Sequence, residues 1–366
     1  MKGFKIVKET DIALKAEEAL RTCFESLPFI QSVEFEKRPS EDNSMPDLLA
    51  RVATPEGEKV IFVEFKSNGQ PRYVRQAMNK LALDTQKTPG RYGVFIGPYI
   101  SPDSAQMLKE ANIGYVDFAG NCFLNFEKIF IRIEGKPNPF PQNKELRTLF
   151  SPRTSRIIRV LLNKPFTALK IAELSKNAGV SLGLVAKAKK ILLDREYIEE
   201  KPVGFVLIKP KALLQEWALQ YSYKRNRVLD FYSLENESMV ERVLSEYCAN
   251  RKIPFALTLF SGASRVAPYS RFKRVFAYVE SVTEEMRNTI GLKSVTTGSN
   301  VTLLEPYDQG VYYGTGYYDQ IPVVSPIQLY LDLKSYKGRG EDAAQFLFDQ
   351  VIEPLWSQKQ IMAKEK

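Results

Sequence analysis

Apolar residues in the first third of the chain fall into short runs of strand length, separated by polar turns and by stretches of helical spacing. Residues 46–52 (Pro-Asp-Leu-Leu-Ala-Arg-Val) and 60–66 (Val-Ile-Phe-Val-Glu-Phe-Lys) predict two strands joined by a hairpin turn at Pro55-Glu56-Gly57-Glu58. Helical patterns at 11–26 and 72–83 flank them, the second entered through a Gly-Gln-Pro turn. A strand at 92–96 follows, then a helix over 104–111 announced by Ser101-Pro102-Asp103, with proline in its first turn. Strands at 114–118, 123–126 and 129–133 complete what reads as one α/β domain over residues 1–135.

The pattern then breaks. Gly135 to Asn143 holds three prolines and little that could join a core, so residues 136–149 read as a linker. Beyond it, apolar spacing predicts helices at 152–162, 168–177 and 182–195, with a tight turn at Ala178-Gly179-Val180-Ser181 and Ser181 as N-cap of the third. Two short β-prone runs at 197–201 and 204–208 form a hairpin, so residues 150–210 have the order of a winged helix-turn-helix. Residues 211–366 predict one further mixed α/β domain, with helices at 211–223 and 238–250 and strands at 255–260 and 275–279. No internal repeat of solenoid period is visible.

Composition narrows the chemistry. The chain has no histidine, which excludes Ser-His-Asp and Cys-His nucleophilic sites and histidine-ligated zinc. Cys23, Cys122 and Cys248 lie far apart without metal-ligand or disulfide spacing and read as buried thiols of a reducing cytoplasm. No apolar run is long enough to span a bilayer, and the expectation is a cytoplasmic protein without a membrane partner. A net charge of +9 favours polyanionic partners without establishing one.

Two clusters carry candidate chemistry. In a strand alternate residues share a face, so Glu64 and Lys66 point one way while Val63 and Phe65 point the other, and the hairpin folds Asp47 towards them. Two carboxylates and an ammonium suit a Mg²⁺ or Mn²⁺ ion held against a phosphodiester, with Asp47 and Glu64 as metal ligands and Lys66 adding charge. The competing reading is a solvated sheet face with an incidental ion pair. In the second cluster, the helix at 182–195 would enter the major groove of double-stranded DNA, with Ser181, Lys187, Lys189 and Lys190 on it and Lys201 on the wing contacting phosphates. There the competing reading is a wet charged face on a protein-protein adaptor.

The order α-β-β-β-α-β, with Pro46-Asp47 and Glu64-Phe65-Lys66 in place, resembles the PD-(D/E)xK, or restriction-endonuclease-like, nuclease superfamily. The resemblance implies a catalytic triplet of Asp47, Glu64 and Lys66. It further implies Gln76 as the polar residue on the following helix and Glu17 or Glu18 as an acid on the first helix.

Three segments are together similar to the AbiEi-type antitoxin transcriptional regulators of type IV toxin-antitoxin systems: Gly114-Tyr115-Val116-Asp117-Phe118-Ala119-Gly120-Asn121, the helix-turn-helix, and Ser325-Pro326-Ile327-Gln328-Leu329-Tyr330-Leu331-Asp332-Leu333 with Gly338-Arg339-Gly340-Glu341-Asp342-Ala343-Ala344. That resemblance implies operator binding, repression of the protein's own operon, and a cognate toxin of nucleotidyltransferase type. In the last domain, Ser261-Gly262-Ala263-Ser264 after a strand and Glu280 after another resemble a degenerate nucleotidyltransferase, with Tyr278 where a second metal carboxylate is expected. A homodimer is a further candidate partner state, because helix-turn-helix proteins often read paired half-sites. The chain therefore reads as a DNA-binding protein retaining a Mg-dependent phosphodiesterase site, in defence or toxin-antitoxin control. The alternative is an AbiEi-like autorepressor whose nuclease-like domain does not cut.

Overall fold

The computed structural model describes residues 9–25, 27–37, 46–87, 90–139, 148–269 and 273–364. Residues 140–147 of the expected linker lie outside them. The chain divides into two compact units, residues 1–144 with 193–196, and residues 145–192 with 197–366.

The first unit runs α1 (Glu9–Glu25), β1 (Ser32–Lys37), β2 (Leu48–Thr54), β3 (Gly57–Phe65), α2 (Pro71–Lys87), β4 (Tyr92–Gly97), α3 (Pro102–Glu110), β5 (Gly114–Asp117), β6 (Cys122–Phe126) and β7 (Ile129–Ile133). The seven strands lie in sequence order in one mixed sheet. β1, β2 and β3 form an antiparallel meander, β4 and β5 join in parallel through α2 and α3, and β6 and β7 return antiparallel. Parallel neighbours need crossover connections, and helices supply both of these.

The alternation of β3 explains the layers. Ile61 and Val63 face α1, packing with Leu20, Phe24, Leu48, Ala50 and Val94. Phe62 faces the other side, where Leu49 and Phe95 meet Val74, Ala77 and Leu81 of α2 and Leu108 of α3. Both faces are thus buried, which accounts for the near-continuous apolar run of this strand. Because the side-chain period is two, Glu64 and Lys66 continue the α2 side of the sheet.

The second unit begins with α4 (Pro152–Asn163), α5 (Ile171–Ala178), α6 (Leu182–Asp194, of which it holds the residues up to Leu192), β8 (Ile198–Lys201) and β9 (Gly204–Leu207), three helices and a two-stranded antiparallel hairpin. Gly179 ends α5 in the left-handed conformation (φ 62°), which a Cβ would disfavour, and so allows the tight turn into α6.

The unit continues α7 (Pro210–Gln220), β10 (Arg227–Tyr232), α8 (Glu237–Arg251), β11 (Phe255–Leu257), α9 (Leu259–Val266), β12 (Val275–Val279), α10 (Glu284–Ile290), β13 (Lys293–Ser294), β14 (Val301–Glu305), β15 (Gly316–Tyr318), β16 (Ile321–Val323), α11 (Pro326–Lys334), α12 (Arg339–Leu347) and α13 (Glu353–Lys364). Its sheet has the order β13-β10-β14-β12-β11-β16-β15 and is mixed, with β12 beside β14 and β11 beside β16 parallel. The strand expected over 255–260 stops at Leu257. Leu259 takes a positive φ of 46° and turns the chain into α9, so Ser261 to Ser264 lie on a helix rather than in a loop. A short apolar run fits a buried strand and a buried helix equally, which is why periodicity alone misplaces this boundary.

The second unit holds a buried polar network. The Asp332 carboxylate accepts hydrogen bonds from Tyr221 (2.6 Å), Tyr278 (3.0 Å), Gln328 (2.9 Å) and Thr258 (2.5 Å). Gln328 in turn accepts from the fully buried Arg159 guanidinium at 2.6 and 3.1 Å, and Arg159 lies over the Trp217 ring. Burial pushes the Asp332 carboxyl up to about 6, while the hydrogen bonds it accepts oppose the shift. Tyr278 is closed inside this network, and the network joins α4 to α7, α11 and the sheet.

Candidate functional site

The β2–β3 register pairs Leu48 with Val63 and Leu49 with Phe62, so one further step sets Asp47 opposite Glu64 at the end of the hairpin. Side chain and backbone then lock the pair. The Asp47 amide donates to Glu64 Oε1 (3.2 Å), and Asp47 Oδ2 accepts from the Phe65 amide (3.1 Å). The Lys66 amide donates to the Ile96 carbonyl of β4 (3.0 Å), which ties the following residue to the sheet. Lys66 Nζ reaches both acids, at 3.3 Å from Asp47 Oδ2 and 3.1 Å from Glu64 Oε2.

A second ammonium completes the cluster. Lys80, from α2, donates to Asp47 Oδ1 (3.3 Å) and contacts Glu64 Oε1 more closely still. Two carboxylates therefore face two ammonium groups, with Glu64 fully buried and the other three partly exposed. Burial, and then the Asp47 charge, hold the Glu64 carboxyl above its ordinary range, and Lys80 and Lys66 oppose this. Burial draws the Lys80 ammonium down, but its hydrogen bond to Glu64 and the charges of Glu64 and Asp47 outweigh that and leave it raised.

Gln76 is exposed on α2, one turn before Lys80, and no described hydrogen bond links it to the carboxylates. Glu17 is half-buried and Glu18 exposed on α1, the helix whose apolar face packs on the opposite side of the sheet. The oxygens of Asp47 and Glu64 are of the kind that hard cations prefer. As they stand, however, each carboxylate spends both oxygens on ammonium groups or backbone amides. Among the described residues no set of three or more Asp, Glu, His or Cys side chains converges on a metal position.

The second candidate surface lies on α6. Ser181 Oγ accepts from the Leu184 amide (3.3 Å) and caps the helix. Lys187 and Lys190 are exposed. Lys189 is turned towards the hairpin, paired with Glu200 (2.7 Å) and set over the Phe205 ring, and Lys201 pairs with Glu199 (3.1 Å). A cleft of about 460 Å³ opens beside the α6 N-terminus, lined by Arg153, Ser175, Lys176, Gly179, Val180, Ser181 and Leu184. Arg153 and Lys176 were not singled out from sequence. Each sits on a different helix, and only the packing of α4 against α5 gathers them.

No helix among the described residues is long and apolar enough to cross a membrane. Two solved structures resemble this chain at low level: EndoMS in apo form (13% identity, TM-score 0.23, 32% of this chain and 48% of that one) and an EndoMS complex with double-stranded DNA (12%, 0.22, 32% and 47%). The chain thus spans about half the length of those structures. No curated protein matches it in sequence. In the second unit, residues 206–353 match the family model described as transcriptional regulator, AbiEi antitoxin, type IV TA system. The match runs from β9 to the start of α13, so it is this stretch of the second unit that is similar to the AbiEi antitoxin family of transcriptional regulators.

Proposed function

We propose that this protein is an AbiEi-type regulator that binds duplex DNA through α6 and the β8–β9 hairpin and opposes a cognate toxin. The observation that supports DNA binding most directly is the cationic surface around the α6 N-terminus. Exposed Lys187 and Lys190 lie along the helix, Arg153 and Lys176 flank its capped end, and the capping hydroxyl of Ser181 is exposed. A helix N-terminus with free amides and nearby cations is suited to phosphate. The lysines would position α6 on the backbone rather than read bases. Lys189 and Lys201, held by Glu200 and Glu199, orient the hairpin in this reading.

Fluorescence anisotropy with a labelled duplex covering the region upstream of the protein's own coding sequence tests it. Binding should be lost or strongly weakened in the Lys187→Ala/Lys190→Ala variant. Equal binding by both proteins would remove α6 from the interface.

The convergence of Asp47, Glu64 and Lys66 favours a second reading, phosphodiester cleavage at the first unit with Mg²⁺ or Mn²⁺. Incubating supercoiled DNA with the protein and either metal, beside Asp47→Ala and an EDTA control, separates the two. Metal-dependent nicking absent from the variant would establish cleavage, and binding without nicking leaves the regulator.

A further inference from the structure

From the place of Lys80 we infer that this domain carries its own cation. The Lys80 ammonium stands between Asp47 and Glu64, where a divalent ion would have to sit, and keeps the carboxylate pair closed to metal.

Geometry carries the argument. Lys80 Nζ contacts Asp47 Oδ1 and Glu64 Oε1, one oxygen from each acid. Lys66 Nζ takes the opposite oxygen of each, Asp47 Oδ2 and Glu64 Oε2. All four carboxylate oxygens are therefore in contact with ammonium, and the cluster sums to zero formal charge. A carboxylate pair attracts a hard cation through uncompensated charge and free oxygens, and this one offers neither. Entry of a metal requires Lys80 to leave.

Its departure is opposed by its setting. Glu64 is fully buried at the end of β3, so removing one of its cations strands a charge in a medium that screens poorly. Lys80 projects from the middle of α2, a helix anchored to the sheet by Val74, Ala77 and Leu81. The backbone of Lys80 therefore stays beside the acids, and the lysine serves the domain as a built-in counter-ion.

The same residues state what releases the site. Shortening Lys80 leaves two carboxylates facing one ammonium, with Asp47 Oδ1 and Glu64 Oε1 both freed of a cation and Glu64 Oε1 keeping only the Asp47 amide. That is the minimum set from which a hexahydrated cation could exchange waters.

Binding of Mn²⁺ to the full-length protein, followed by loss of the free-ion EPR signal and by calorimetry, tests this without reference to any activity. Wild type should bind no Mn²⁺ in a manner that Glu64→Gln abolishes, at concentrations up to about 1 mM. Lys80→Ala and Lys80→Gln, checked for folding by circular dichroism, should each bind one ion per chain, about tenfold or more tighter than wild type, as affinity follows ligand charge. The double variant Lys80→Ala/Glu64→Gln should return to the wild-type level. Stoichiometric binding by wild type that Glu64→Gln removes would overturn the inference, and that arm stands even if both Lys80 variants fail to fold. Folded Lys80 variants that bind no better than wild type would overturn it equally.

Discussion

At the scale of single residues, Glu64 and Asp332, two fully buried carboxylates, are stabilised in opposite ways. Glu64 is compensated by charge, Asp332 mainly by neutral hydroxyl and amide donors. Burial raises the Asp332 carboxyl with no cation among these donors to offset it, so its ionisation costs stability. Its folded value, about 6, lies above the ordinary 3.8, so the folded state holds its proton more tightly than the unfolded chain. The stabilising contribution is complete below pH 3.8 and is lost as pH rises through 6. A shift of this size corresponds to at most ~3 kcal/mol. In Asp332→Asn the titratable group is gone. Urea unfolding at pH 4.5 and pH 7 should therefore show wild type losing stability relative to the variant across that interval, and a difference independent of pH would show that Asp332 is ionised throughout.

Residue-scale chemistry was legible where it follows from strand alternation. Glu64 lies in β3, with Asp47 just before β2 and Lys66 just after β3, and the pairing of the two strands with a period of two brings them to one face without knowledge of the rest of the fold. Lys80 was not legible. It comes from a helix, and which helical face meets the strand ends depends on how α2 docks, a tertiary fact. Gln76, picked by position in a motif, lies one turn away on the same helix and is exposed. The role of Asp332 was not legible either, because its partners Tyr221, Thr258 and Tyr278 come from three distant segments.

At the scale of elements, boundaries were least legible where apolar runs serve both strand and helix. The β11–α9 corner illustrates this. Thr258 leaves β11, Leu259 turns with positive φ, and Gly262 lets α9 settle on the sheet and α11. A Cβ at Gly262 would stand 2.9 Å from Leu329 Cδ1 and 3.1 Å from Val323 Cγ1. Gly262→Ala should consequently destabilise the second unit by about 1–3 kcal/mol, the usual cost of overpacking. A melting temperature equal to that of wild type would mean the corner relaxes freely. The hairpin of β8 and β9 follows the same logic with charges. Lys189 is drawn off the exposed face of α6 to Glu200 and Phe205, so Lys189→Ala should loosen the hairpin, seen as faster amide exchange in β8 and β9. Unchanged exchange there would return Lys189 to the solvent-facing set.

At the scale of the whole molecule, the sequence separates two bodies of different character. The first unit is a mixed sheet whose charged cluster is internally neutralised. The second joins three helices and a hairpin to a sheet domain, and its residues 206–353 match the AbiEi regulator family model. The excess of basic residues, +9 overall, acquires meaning only through placement: the cluster around Lys80 cancels its own charge, whereas Lys187, Lys190, Arg153 and Lys176 remain on the surface of the second unit. DNA binding through that surface is the central claim of this account. Its most direct test is the salt dependence of binding to duplex DNA by the full-length protein, between 50 and 200 mM KCl, compared with Lys187→Ala/Lys190→Ala. Each lost phosphate contact removes about 0.9 from the slope of log K against log salt concentration, so the variant's slope should be shallower by about 2. Identical slopes for the two proteins, or no binding at the lowest salt, would contradict it.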